Sequence, residues 1–335
     1  FPPFKDGKSA YFAGLNHGKK SIALNLKGDE DRAIFERLLG RADVIVENFR
    51  PGVMERLGYG WDELHAAFPR LVYGAVSGFG HTGPDSKRPA YDIVVQARGG
   101  VMSITGEKNR EPVRVGASIG DIVAGMFLSQ GILAALLDRD RNGVGRKIDV
   151  SMLDSQLAIL EHADALTNVN GKAPGPSGAR HPSISPFETF HASDGLFVIA
   201  AGNDRLFEKL CIALNLPISD DPRFATNNAR CKHTRLLKRL IEAVTLDNTR
   251  AYWISRLTAA GIPTGPIQDV AQVLKDPQII ARNMVVDVLD KNGRQAYKSA
   301  GNPIKMSDAP DPTTRGPAPD LDGNRGEILR WLEQG

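Results

Sequence analysis

The stretch SIGDIVAGM, residues 118–126, sets one carboxylate, Asp121, at the head of a run that is apolar on nearly every side. Two roles fit a carboxylate in that place. Asp is a preferred helix N-cap and its charge suits the positive end of the helix dipole, worth about 0.5–2 kcal/mol. A carboxylate partly withdrawn from water is also a covalent nucleophile. Gly125 follows one turn later on the same face. A helical Gly costs about 1 kcal/mol against Ala, which has a reason if something must approach closely above the carboxylate. Asp154 has a similar claim to a capping role. A helix apolar all round is a buried one, which places Asp121 at the edge of a dry interior, kept ionised by the dipole. Spacing leaves cap and nucleophile both open.

A second group gathers early in the chain. Lys19, Lys20, Lys27, Asn48, Arg50 and Arg56 fall around expected strand ends and helix starts. Ligands of open α/β sheets bind outside the carboxyl ends of the strands. ENFRPG (47–52) offers amide, aromatic and guanidinium groups in sequence, a set that can stack on a base and pair with phosphate. GFGHTG (78–83) fits G-x-G-x-x-G, but Pro84 and further loop residues follow where a dinucleotide fingerprint needs a helix. It reads as a flexible glycine loop. The seven His are scattered without HxxxH or HExxH spacing, so no metal site is expected. His162, in EHADA, reads as lying beside acids on a solvated helix face. AVSGFG does not match the GxSxG elbow of a Ser-His-Asp hydrolase.

The elements that must position these residues follow from pattern. KKSIALNLK (19–27) alternates and predicts a strand; residues 29–42, with an acidic first turn, predict a helix. Strands are expected at 43–49 and 71–80, with two short helices between them. A long helix is predicted from Asp121 to about Arg139, then a strand within 142–152 and a helix from about Ser155 to Asn168. Alternating strands and helices predict an α/β layer with a parallel sheet. After a Gly/Pro/Ser-rich loop at 170–186, a strand (GLFVIAAG) and several amphipathic helices predict a smaller α+β domain, and GEILRWLEQG a last helix.

Bulk properties bound the function. A chain of 335 residues suits about two domains of ~150 residues. A net charge of +3 is too small for a nucleic-acid binder but compatible with a small anionic ligand. Cys211 and Cys231, without CxxC spacing, imply a reducing compartment and neither a disulfide framework nor zinc. The apolar run 122–137 falls short of ~18 continuous apolar residues and is broken by Gly125, Ser129, Gln130 and Gly131, so no membrane partner is expected.

Several blocks taken together are more specific. GKKSIALNLK, ADVIVENFRPGVMERLG, RLVYGAVSGFGHTGP, PAYDIVVQARGGVMSITG, GDIVAGMFLSQGILAALLDRDRNGVGRKIDVSMLD and HPSISPFETFHASDGLFVIAAGND closely resemble, in order, the class III CoA-transferases of the CaiB/BaiF family. Family members begin with a further strand–helix unit of roughly 45 residues not found in this sequence. The resemblance implies that Asp121, and not Asp154, is the nucleophile. Its carboxylate attacks a donor thioester to give a mixed anhydride and CoA thiolate. The thiolate returns to give an aspartyl-CoA thioester, and an acceptor acid reverses the sequence. CoA is implied to be held by Leu24, Lys27, Asn48, Phe49, Arg56, Ala90, Tyr91 and Asp92, with Lys27 and Arg56 on phosphates and Phe49 at the adenine. CoA and acyl-CoA are then substrates, and no tightly bound cofactor is expected.

Two departures refine the expectation. The second-domain loop of formyl-CoA transferase carries a run of glycines; PGPSGARHPSISP stands here, which argues against oxalate specificity. Arg180, with His181 beside it, is a candidate for the second carboxylate of a dicarboxylic acid such as succinate. The family's α-methylacyl-CoA racemases have a His before the Asp of the AYD block, where this chain has Tyr91. A racemase-like enzyme and a non-catalytic CoA-binding protein are the alternatives. The resemblance further implies a Rossmann-like large domain (1–179), a small domain (180–290), a segment (291–335) returning to the large domain, an interlocked homodimer, and a cytoplasmic or, in a eukaryote, mitochondrial location.

Overall fold

The computed structural model describes residues 1–5, 7–290 and 292–334. Its central feature is a three-stranded sheet in the order Val44–Glu47, Val72–Ser77, Lys147–Ser151. The last two strands are parallel, with Tyr73 opposite Lys147 and Ser77 opposite Ser151. The helix Ile119–Asn142 crosses both of them. Two glycines allow that close packing. A Cβ on Gly74 would meet Ile132 Cδ1 and Leu128 Cδ1 at 3.1 Å, and one on Gly131 would meet Ile148 Cγ2 at 2.8 Å. The expected α/β class with a parallel sheet is what the chain adopts.

The chain divides into two compact units. The first comprises Phe1–Ile45, Glu55–Leu71 and Gln268–Gly335. In it the helix Asp29–Arg41 bears Arg32 over the Tyr59 ring at 4.6 Å and Arg41 over the Trp331 ring at 3.8 Å. Trp331 lies on the terminal helix Arg325–Glu333. A second sheet is built on Val285–Leu289, antiparallel to Gln295–Ala300 and parallel to Thr314–Arg315.

The second unit comprises Val46–Met54 and Val72–Ile267. Besides the central strands it holds an antiparallel sheet, Phe187–Ala192, Gly195–Ala200 and Thr264–Pro266, with a core of its own. Phe190, Phe197, Phe207, Leu237, Ile241 and Trp253 fill that core beneath the helices Asp204–Leu214, Thr234–Thr245 and Arg250–Ala259. Arg230 is fully buried there. It donates to Ser185 O (2.7 Å), Phe224 O (2.9 Å) and Asp204 Oδ1 (2.6 Å).

Four sequence expectations change. Residues 19–27 form no strand. Their backbone groups are taken by side chains of the 322–325 turn: Ser21 N–H donates to Asn324 Oδ1 (3.0 Å) and Ala23 N–H to Asp322 Oδ1 (2.9 Å). The helix expected from Ser155 to Asn168 is two helices, Met152–Ala158 and Glu161–Asn170, broken where Glu161 takes φ 20°. Asp154 is not a cap; Ser151 Oγ caps that first helix by accepting the Asp154 N–H at 3.1 Å. The long helix begins earlier than expected and is only partly buried. It is 24 residues long, and Ile122, Met126, Leu133 and Leu137 are exposed. By length and composition it could cross a bilayer, although Gly120, Ala124, Leu128, Ala135 and Arg139 are buried.

Candidate active site

A cavity of about 380 Å³ opens in the second unit. Asn48 and Phe49, Ser77 and Gly78, Ala90 and Tyr91, and Asp121 line it, each pair from a different segment. A larger cavity of about 450 Å³ in the first unit, lined in part by Lys8, Arg294 and Tyr297, contains none of the expected site residues.

The Asn48–Phe49 wall is fixed by a buried carboxylate. Glu47 ends its strand and accepts the Phe49 N–H at 2.6 Å and the Tyr73 hydroxyl at 3.3 Å. Asn48 donates its side-chain amide to Val76 O at 2.6 Å. The backbone is thereby pinned while the Phe49 ring stays 53% exposed, available to a ligand. Tyr91, 80% exposed, is equally available. The glycine loop lies behind this wall. His81 N–H donates to Asp149 Oδ2 (2.9 Å), and its ring sits 3.5 Å from Glu47 Oε1 and 3.2 Å from Lys147 Nζ. No helix opens at Gly83, so the dinucleotide motif is without its phosphate-binding partner.

Asp121 is the third residue of its helix. The N-cap is Ser118, whose side chain makes no capping bond, so the cap reading of Asp121 falls. The residue before it explains the local chain path. A Cβ on Gly120 would lie 2.7 Å from Val95 Cγ2 and 3.0 Å from Asp92 Oδ1. Only a glycine lets the helix Asp92–Arg98 come this close. Asp92 Oδ1 accepts the Gly120 N–H at 2.8 Å, using one of the helix's unpaired N-terminal donors. Its Oδ2 accepts from Gln96 Nε2 at 2.8 Å, with Arg114 Nη1 at 3.6 Å. Gln96, fully buried, accepts the Val115 N–H at 2.8 Å with its other atom. Asp92, expected among the CoA contacts, thus has both oxygens engaged inside the chain.

These neighbours set the charge state of Asp121. Partial burial in the cavity wall raises its carboxyl above the usual range, and the negative charge of Asp92 raises it further. Burial thus acts against the helix dipole, which was expected to keep this group ionised. Once ionised, a partly desolvated carboxylate facing a cavity is a stronger nucleophile toward an electrophilic carbonyl. Gly125, one turn on, would have nothing within 4 Å of an added Cβ, so the space above the helix is open.

The remaining expected residues lie elsewhere. Leu24, Lys27 and Arg56 belong to the first unit, where Lys27 and Arg56 are exposed. Arg180 and His181 are in the second unit, in a cluster that does not line the Asp121 cavity. His181 packs against His162 (ring centroids 5.4 Å) and accepts the Ser183 N–H at Nδ1 (3.2 Å), while Arg180 donates to His181 O (3.3 Å). Burial first, then the charges of His162 and Arg180, hold His181 below its ordinary pKa. His162 is half-buried between exposed Glu161 and Asp164, with Ser183 Oγ 3.1 Å from its Nε2. Ser77 and Gln96 carried no motif, and spacing gave no reason to single them out. Among the described residues no cluster of metal-ligating side chains occurs.

Comparison with known proteins places this geometry. The model of CoA-transferase family III matches residues 1–325, and the chain belongs to that family. Acetyl-CoA:oxalate CoA-transferase of Acetobacter aceti is 45% identical over 98% of this chain and 84% of its own length. Succinate–glutarate CoA-transferase of Agrobacterium fabrum is 36% identical over 99% and 84%. A CaiB/BaiF family protein from Brucella suis superposes with a TM-score of 0.84 at 37% identity, over 98% of this chain and 86% of the other. The protein is a class III CoA-transferase acting on CoA thioesters.

Proposed function

We propose that this enzyme moves CoA from an acyl-CoA to a small dicarboxylic acid through an aspartyl-CoA thioester on Asp121. The observation that carries the reading is the position of Asp121. It is a carboxylate with a raised pKa, on the wall of a cavity lined by the exposed rings of Phe49 and Tyr91. Relatives named for oxalate and for glutarate support a dicarboxylic acceptor. Oxalate, disfavoured by loop composition, returns as a candidate acceptor because the 45% identical relative bears it in its name. Succinyl-CoA and acetyl-CoA are the donors to test first.

Phe49, Asn48, Ala90 and Tyr91 would hold the carrier in this unit, Lys27 and Arg56 its phosphates, Leu24 an apolar part, and Arg180 with His181 the far carboxylate of the acceptor. A racemase would need a second acid/base opposite Asp121, and Tyr91 stands where the family's racemases have a His. The exposed apolar residues Ile122, Met126, Leu133 and Leu137 on the long helix support an interlocked homodimer, with a second copy covering that face; a cytoplasmic location is part of the same reading. The large domain would end near residue 179, the small domain would span 180–290, and the remaining segment would return to the large one.

The test is to trap the adduct. Incubated with acyl-CoA, the protein should gain a CoA-sized mass at Asp121 that hydroxylamine removes, and Asp121→Asn should gain none. Tight CoA binding with no adduct would favour a binding protein; α-proton exchange without transfer would favour a racemase. Sizing by light scattering, without detergent, should give twice the chain mass.

A further inference from the structure

Ser77 ends the strand Val72–Ser77 on the wall of the Asp121 cavity. Its side chain is 4% exposed, and its hydroxyl has no hydrogen-bond partner in the protein. Among the described residues lining that cavity, it is the one with a buried, unpartnered side-chain oxygen. The contrast with Ser151, its partner in the parallel register, is informative. Ser151 Oγ caps the next helix by accepting the Asp154 N–H at 3.1 Å. Ser77 is followed by Gly78, whose added Cβ would lie 2.3 Å from Ala90 Cβ, so residue 90 packs directly against the strand end. A buried hydroxyl without a partner is costly and rare in native proteins. On a residue that lines the cavity such a hydroxyl has a ready explanation, because a ligand atom completes it.

We propose that Ser77 is a catalytic residue that donates its hydroxyl to the carbonyl oxygen of the thioester under attack. This rests on Asp121 being the nucleophile. In that step an Asp121 oxygen bonds to the thioester carbonyl carbon, the C–S bond breaks, and CoA leaves as thiolate, leaving a mixed anhydride. The thiolate then bonds to the Asp121 side-chain carbonyl carbon, and the C–O bond to the donor acyl group breaks to release the donor carboxylate. Ser77 keeps its proton throughout. Negative charge develops on a carbonyl oxygen in each attack, and a pre-set donor in a water-poor wall is most effective where charge develops. Two nearby polar groups are already engaged inside the chain: the Asn48 amide is on Val76 O, and Asp92 is on Gly120 and Gln96.

The experiment compares Ser77→Ala and Ser77→Cys with wild type and Asp121→Asn in the full chain, using succinyl-CoA and acetyl-CoA. Three quantities are read: the rate of the hydroxylamine-labile adduct, the Kd for free CoA, and Tm. Adduct formation should slow by about 10-fold in both Ser77 variants, the scale of one lost hydrogen bond. Kd and Tm should not fall away, since the hydroxyl supports nothing in the free protein. A rate within twofold of wild type would overturn the assignment. So would an unchanged rate with weaker CoA binding, which would put the hydroxyl on the carrier and not on the reacting carbonyl. Absence of an adduct in wild type would instead overturn the Asp121 reading itself.

Discussion

Asp92 Oδ1 accepts the backbone N–H of Gly120 at 2.8 Å, one residue before the carboxylate of Asp121. One acid thus anchors the helix start that presents the other, and the two charges repel. Gln96 and Arg114 hold Asp92 from its other side, so the anchor is itself braced.

Removing the Asp121 charge should separate chemistry from stability. Burial and Asp92 raise the Asp121 pKa in the folded chain. The folded state therefore holds its proton to higher pH than the unfolded chain does, and ionisation destabilises it as pH rises through that window. Asp121→Asn should form no adduct, yet melt at a higher temperature than wild type at pH 7. The gain should fade as pH is lowered through the carboxylate range. Calorimetry across pH checks it; an equal or lower Tm at pH 7 would refute it.

Asp92→Asn keeps an oxygen for the Gly120 N–H but loses the charge. Asp121 should then ionise more readily, and the acid limb of kcat/KM should move to lower pH. A pH–rate profile that does not move would show that Asp92 acts on Asp121 only through position.

Gly120→Ala should be destabilising in spite of the better helix propensity of Ala. Its Cβ would sit 2.7 Å from Val95 Cγ2, an overpacking that costs about 1–3 kcal/mol. Denaturant melts should show the loss, with transferase activity falling alongside.

Gly125→Ala should behave in the opposite way. Nothing lies within 4 Å of the added Cβ, so the helix should gain up to about 1 kcal/mol. If the thioester passes above this residue, kcat/KM should drop toward the roughly 100-fold that a small misplacement of reacting atoms costs. Full activity in a stabilised variant would remove Gly125 from the site.

Arg180→Ala should raise the acceptor KM about 10-fold, the scale of a charge-assisted hydrogen bond, and leave the donor KM unchanged. The half-reaction with acyl-CoA alone reads the donor side. An unchanged acceptor KM would return Arg180 to the role the structure already gives it, bonding His181 O.

Much was legible in the chain itself. The helices at 29–41, 204–214, 234–245 and 250–259 and the strands at 72–77 and 195–200 follow their periodicity, because each buries one face or is buried on both. The Gly-Asp pair at the head of the long helix was visible too, although the helix begins at Ile119, two residues before the expected start at Asp121. The strand expected at 19–27 failed because alternation does not reveal a partner: Asn324 and Asp322, some 300 residues away, take the backbone bonds a strand would have used. Burial of the long helix was over-read from composition, since an apolar residue such as Leu133 is the same letter whether it faces a sheet or the exterior.

The sequence by itself determined that one carboxylate, Asp121, stands at the head of an apolar helix beside glycines, and its blocks determined the family. Only the tertiary structure decided that Ser118 and not Asp121 occupies the cap position, that Asp92 and Gln96 brace the helix start, and that Ser77 lies unpartnered on the same cavity wall. The reason is physical. Residue type and local spacing fix what a side chain is able to do, whereas desolvation, a neighbouring charge or an unmet hydrogen bond exists only once distant segments are packed together.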